Sequence, residues 1–116
     1  MLDKQAPPIY KTSYNLTLAI IRLVRDCDND YRMTLGQTLQ TRVLLLQIAI
    51  YQINEKEDKS SAIQVALNHI FFIKMMLRLF LDINLIKLEV NIALNILSEE
   101  VIKQLQGWKN SLKKKS

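Results

Sequence analysis

The chain has 116 residues, 49% apolar and 23% charged, with two glycines, two prolines, one cysteine and a net charge of +5. So much aliphatic surface excludes a disordered chain, and a lone cysteine excludes an intrachain disulfide framework. So few turn-forming residues exclude an all-β sandwich or barrel and a glycine-rich phosphate loop.

What remains is one small, all-helical domain. The N-terminal Met-Leu-Asp-Lys-Gln-Ala-Pro-Pro shows no uninterrupted apolar run behind a basic start, so the expectation is a cytoplasmic protein. Residues 1–57 carry a net charge of +1 and residues 58–116 a net charge of +4, much of it in Lys113-Lys114-Lys115. A basic tail reads either as a solvated terminus or as a contact for a polyanion.

Pro7-Pro8 reads as a short extended lead-in, with a first helix over about 12–28 capped by Thr12 or Ser13. Leu16, Ile20, Leu23 and Cys27 recur at spacings of four, three and four, one face of a helix. Asp26, Asp28, Asn29 and Asp30 close it. The spacing predicts a second helix over about 32–54, with Leu35, Leu39, Val43, Leu46, Ile50 and Ile53 on one stripe. Leu44, Ile48 and Tyr51 make a second stripe beside it. Asp30 or Thr34 reads as its cap, and Gly36 as a place where a neighbouring helix comes close. The charged run Glu55-Lys56-Glu57-Asp58-Lys59-Ser60-Ser61 is the clearest break in the chain.

The third helix, over about 60–82, is unlike the others. At about 100° per residue its polar side chains Gln64, Asn68, Lys74, Arg78 and Asp82 occupy an arc of about 120°, and nearly all the rest is apolar. A bundle helix needs an apolar arc only somewhat wider than about 100°. Lys74 and Arg78 interrupt the run short of the ~20 apolar residues of a membrane span, so no membrane is expected. The surplus apolar surface needs a cover, and a second copy of the chain is the simplest. Phe71, Phe72, Met75, Met76 and Leu79 are the candidate oligomer interface.

The fourth helix is expected over about 85–112, its seam formed by Val90, Leu94, Leu97, Val101, Leu105, Trp108 and Leu112. Gly107 interrupts it, and a mid-helix glycine suggests a neighbouring backbone approaching closely. Four such helices with short connections predict a single all-α domain over 1–116, an up-down-up-down antiparallel four-helix bundle with a basic tail at 113–116.

Catalytic chemistry is thin. His69 is the only histidine, which prevents a histidine-based metal cluster or triad within one chain. It reads as a buried, satisfied histidine, and Cys27 as a small hydrophobe on the first helix. Glu99-Glu100 lacks the spaced partners of a di-iron bundle and reads as a solvated face. The expectation is a protein with no enzymatic activity, metal or cofactor. Cations remain: Arg22 and Arg25 on the first helix, and Lys74 and Arg78 four apart on the third. Lys74 and Arg78 read as a phosphate-binding ridge, with an intrahelical Arg78–Asp82 pair as the plainer alternative.

Several strings, in chain order, resemble one family. They are Pro8-Ile9-Tyr10-Lys11-Thr12-Ser13-Tyr14, Asp30-Tyr31-Arg32-Met33-Thr34-Leu35-Gly36-Gln37, Leu77-Arg78-Leu79, and Leu105-Gln106-Gly107-Trp108-Lys109-Asn110-Ser111. The chain resembles the small four-helix-bundle proteins that include the accessory variability determinant (Avd) of diversity-generating retroelements, with relatives in ribosomal RNA intervening sequences. Met33 stands where that family usually has an aromatic residue, and Gln106 replaces the first glycine of its Gly-Gly-Trp ending.

The resemblance implies a homopentameric ring with a basic surface, associated with a reverse transcriptase and its RNA or DNA. In that setting the protein supports mutagenic retrohoming. Arg22, Arg25, Arg32, Lys74 and Arg78, with Lys109, Lys113, Lys114 and Lys115, are the candidate partner-binding cations. For Arg32 the structural reading is preferred to a contact with a partner's carboxylate or phosphate. A structural or protein-interaction homo-oligomer with no nucleic-acid role is the alternative.

Overall fold

The computed structural model describes residues 7–114 and is all-helical, with four long helices. These are α1 (Pro8–Arg25), α2 (Gln37–Gln52), α3 (Lys59–Asp82) and α4 (Leu88–Lys114). A short turn at Asn29–Tyr31 and a π-helical turn at Arg32–Gly36 lead into α2, and a 3-10 turn at Ile53–Glu55 ends it. The molecule measures 49 × 27 × 23 Å. Helices α1 and α3 each pack against both α2 and α4, and neither diagonal pair is in contact among the described residues.

The helix starts differ from the sequence reading. Helix α1 begins at Pro8, not near Thr12, because proline at the first position lacks an N–H that would be unpaired there anyway. The hydroxyls of Thr12 and Ser13 instead donate back to the carbonyls of Pro8 and Tyr10. The second helical segment is capped by neither Asp30 nor Thr34. The Asp28 carboxylate accepts from the Asp30 N–H at 3.2 Å. Asp58 caps α3, accepting from the Ser61 N–H at 3.0 Å and from its hydroxyl at 2.7 Å. These two bonds, the hydroxyl first, hold the exposed Asp58 carboxyl below its ordinary range.

The predicted stripes form most of the core; Val90, expected at the head of the α4 seam, is exposed instead. Leu16 and Ile20 of α1, Leu39, Val43, Leu46 and Ile50 of α2, and Leu94, Val101 and Leu105 of α4 are buried. From α3 come Ile63, Ala66, Leu67, Ile70, Ile73, Met76, Leu77 and Phe80. Four polar residues are buried with them, and each is hydrogen-bonded. Asn91 donates to the Leu77 carbonyl at 3.0 Å, tying α4 to α3. Ser13 and Ser98 donate to carbonyls of their own helices. The Thr17 hydroxyl lies 2.8 Å from the Ser13 carbonyl and 2.9 Å from the amide oxygen of Gln47 on α2.

Helix α3 ends in a Schellman motif. Asn84 takes the left-handed conformation at φ 61°, the Leu85 N–H donates to the Phe80 carbonyl at 2.8 Å, and the Asn84 N–H donates to the Leu81 carbonyl at 3.0 Å. The two glycines separate cleanly. A Cβ on Gly36 would lie 3.2 Å from Val24 Cγ1 and 3.3 Å from the Tyr31 carbonyl oxygen, so α1 does approach there. A Cβ on Gly107 would meet nothing within 4 Å. The close approach expected at Gly107 is therefore absent among the described residues.

Candidate nucleic-acid and partner interface

Lys74 and Arg78 share a face of α3, as their spacing requires, but neither is unpaired. Lys74 is half-buried and bonds Glu99 of α4. Arg78 Nε donates to both carboxylate oxygens of Asp82, at 3.0 and 3.1 Å. Glu99 is thus a cross-helix partner and not a bare solvated side chain. Lys109, lower on the same seam, donates to the amide oxygen of Gln64 at 2.7 Å. The expected phosphate ridge is a row of cations already met by their own chain.

The α1 cations differ. Arg25 donates to the adjacent Asp26 at 3.2 Å. Lys11 and Arg22 are exposed, and α1 itself contains no acidic residue. Because α1 and α3 lie across the core from one another, the structure does not gather Arg22 and Arg25 with Lys74 and Arg78. Arg32 is exposed and donates to the Cys27 carbonyl at 3.4 Å, which joins it to the loop after α1. Lys113 is exposed; the Lys114 side chain and all of Lys115 lie outside the described residues.

The candidate oligomer residues divide. Phe71, Met75 and Leu79 are exposed on α3, together with Val65, which the sequence reading passed over. Met76 is 2% exposed and belongs to the core. One residue advances a helix by about 100°, enough to carry Met76 from the outer face beside Met75 to the inner face beside Leu77. Phe72 is half-buried beneath Arg42 and so is a weaker candidate than its exposed neighbours. Further apolar side chains are exposed as Leu44, Leu45, Ile48 and Tyr51 on α2, and as Leu88, Ile92 and Ile96 on α4. The second stripe on α2 therefore faces outward. By length and composition alone, α3 is apolar enough to cross a membrane; 44% of its most apolar window is buried within the chain.

Arg42 was not among the sequence candidates, standing at the head of the aliphatic run Val43-Leu44-Leu45-Leu46. Its guanidinium lies 3.9 Å from the centroid of the Phe72 ring, and Nη1 is 3.3 Å from Nδ1 of His69. A guanidinium only donates, so Nδ1 accepts and the imidazole is neutral with its proton on Nε2. Burial, and secondly the charge of Arg42, push the His69 pKa below its ordinary value. His69 is thus a satisfied histidine at the α2–α3 seam, half-buried and not in the deep core. Cys27 is buried, and that burial raises its thiol pKa, with Asp28 and Arg32 as smaller influences. Among the described residues no three His, Cys, Asp or Glu side chains converge on one point. No family model and no characterised protein matches this chain.

Proposed function

We propose that the chain is a non-enzymatic accessory protein, an up-down-up-down antiparallel bundle that assembles into a homo-oligomeric ring. On this reading it works as the retroelement accessory family it resembles does, alongside a reverse transcriptase and its RNA or DNA. The observation that carries the assembly is the outer face of α3, where Val65, Phe71, Met75 and Leu79 remain exposed after the chain's own core is complete. They share that face with the exposed Asn68, Arg78 and Asp82, and exposed apolar side chains rimmed by polar ones mark an interaction site.

For a polyanion, the pairing of Lys74 and Arg78 shifts the best-supported contact to α1. Lys11 and Arg22 stand exposed there without a carboxylate partner among the described residues. Repetition around a ring would multiply that modest charge into a substantial positive field. The test is binding of a structured RNA and of an RNA–DNA hybrid at about 50 and about 200 mM salt. Phosphate contacts release counterions, so affinity falls steeply with salt, and Lys11→Glu with Arg22→Glu weakens it further. Absence of binding at low salt would overturn the nucleic-acid role. It would leave the second reading, a structural or protein-interaction oligomer, which the internal pairing of Lys74 and Arg78 favours.

A further inference from the structure

The π turn at Arg32–Gly36 interrupts the regular winding at the start of the second helical segment, and π turns commonly occur at functional sites. The wider turn absorbs an extra residue and leaves Met33 72% exposed, the most exposed large apolar side chain among the described residues. Gly36 fixes this turn against α1 through its close approach to Val24. Met33 and Gln37 stand between two shallow grooves. One continues past Thr38 and Thr41 to Arg42; the other reaches Arg25 and Arg32.

The groove cations are incompletely used. Arg42 meets only the Phe72 ring and a neutral imidazole, and Arg32 only a backbone carbonyl; neither has a carboxylate partner among the described residues. The Gln37 amide and the Thr41 hydroxyl are also without partners among them. Guanidinium forks match carboxylates in geometry and charge.

We infer that this turn is a docking site for an acidic segment of a partner protein, carrying two carboxylates about five residues apart and an apolar side chain between them. Arg32 and Arg42 are ten residues apart, roughly 15 Å along a helix. An extended peptide covers that span in about five residues. Its apolar side chain would meet Met33, which lines both grooves. A nucleic acid suits the site less well. Asp26, Asp28 and Asp30 stand close in sequence to Arg25 and Arg32 and offset them, which disfavours a dense polyanion more than two placed carboxylates. The inference does not depend on the retroelement reading.

The test uses the full chain labelled with 13C at the methionine methyls. It is titrated with a 12-residue peptide bearing two glutamates five positions apart and a leucine between them. A Glu→Gln version and a 12-nucleotide single-stranded DNA serve as comparisons. The acidic peptide is expected to shift the Met33 methyl and leave the buried Met76 methyl in place. Arg32→Glu and, separately, Arg42→Gln each weaken binding at least tenfold. Arg32 is exposed, so its variant remains informative should Arg42→Gln disturb the α2–α3 seam. An unmoved Met33 methyl, equal binding of the neutral peptide, or an unchanged Kd in Arg32→Glu would overturn the proposal. So would a Met33 shift produced by the DNA with the same dependence on Arg32, which would assign the turn to nucleic acid.

Discussion

The guanidinium of Arg42 lies 3.9 Å over the Phe72 ring while one of its N–H groups reaches Nδ1 of His69, and this joins α2 to α3 outside the aliphatic core. Three residues of different chemistry form one clasp. It holds only while the imidazole is neutral, because a protonated ring would lose its acceptor and face a second cation.

A pH dependence follows. The folded-state pKa of His69 lies below the ordinary 6.5, with burial as the first cause, so the unfolded chain takes up the proton more readily. The contribution is fully present above about pH 6.5 and is lost as pH falls through the lower folded-state value. Urea denaturation between pH 7.5 and 5 should show wild type losing stability more steeply than His69→Gln. Parallel curves would contradict the clasp.

The glycines should respond with opposite signs. Gly107→Ala adds a methyl in open space within a helix and should stabilise by about 0.5–1 kcal/mol. Gly36→Ala presses a methyl against Val24 and the Tyr31 carbonyl oxygen, and should destabilise by about 1 kcal/mol despite the better helix propensity of alanine. Thermal and chemical denaturation of the two variants measures both.

Asn84 holds the left-handed position that ends α3. Asn84→Gly should leave stability equal or slightly higher, since glycine takes positive φ without a Cβ penalty. Asn84→Ala should cost about 1 kcal/mol. Equal stability of the two variants would show that the Schellman motif does not hold in solution.

Met75 and Met76 are adjacent in sequence and opposite in role. Met76→Ala opens a cavity in the core and should cost about 2–4 kcal/mol, whereas Met75→Ser, on a side chain 51% exposed, should barely alter the stability of a dissociated chain. Denaturation at low protein concentration separates them.

Periodicity made the core legible. Leu39, Val43, Leu46 and Ile50 were readable as a buried stripe from their spacing alone, because the 3.6-residue turn places them on one face. The excess apolar arc of α3 is left outside the core only at its edge, at Val65 and Leu79; Phe71 and Met75 are exposed among the polar side chains Asn68, Arg78 and Asp82, and most of the arc is buried by the chain's own helices. The starts were harder. Pro8 and Asp28 show how chain entry depends on local backbone geometry that a choice among Thr12, Ser13, Asp30 and Thr34 does not capture. The cation partners were illegible for another reason. Lys74 and Glu99 are 25 residues apart, and only the packing of α3 on α4 brings them together. Arg42 was hidden beside an aliphatic run, and the π turn has no periodic signal.

The most direct test is the mass of the chain in solution by multi-angle light scattering at micromolar concentration, alone and with Phe71→Glu and Met75→Glu combined. Both side chains are exposed, so the double variant should stay helical. A multimeric wild type that the two substitutions reduce to monomers is the predicted result. A wild-type chain that is monomeric throughout, or a multimer indifferent to both substitutions, would contradict assembly through the outer face of α3.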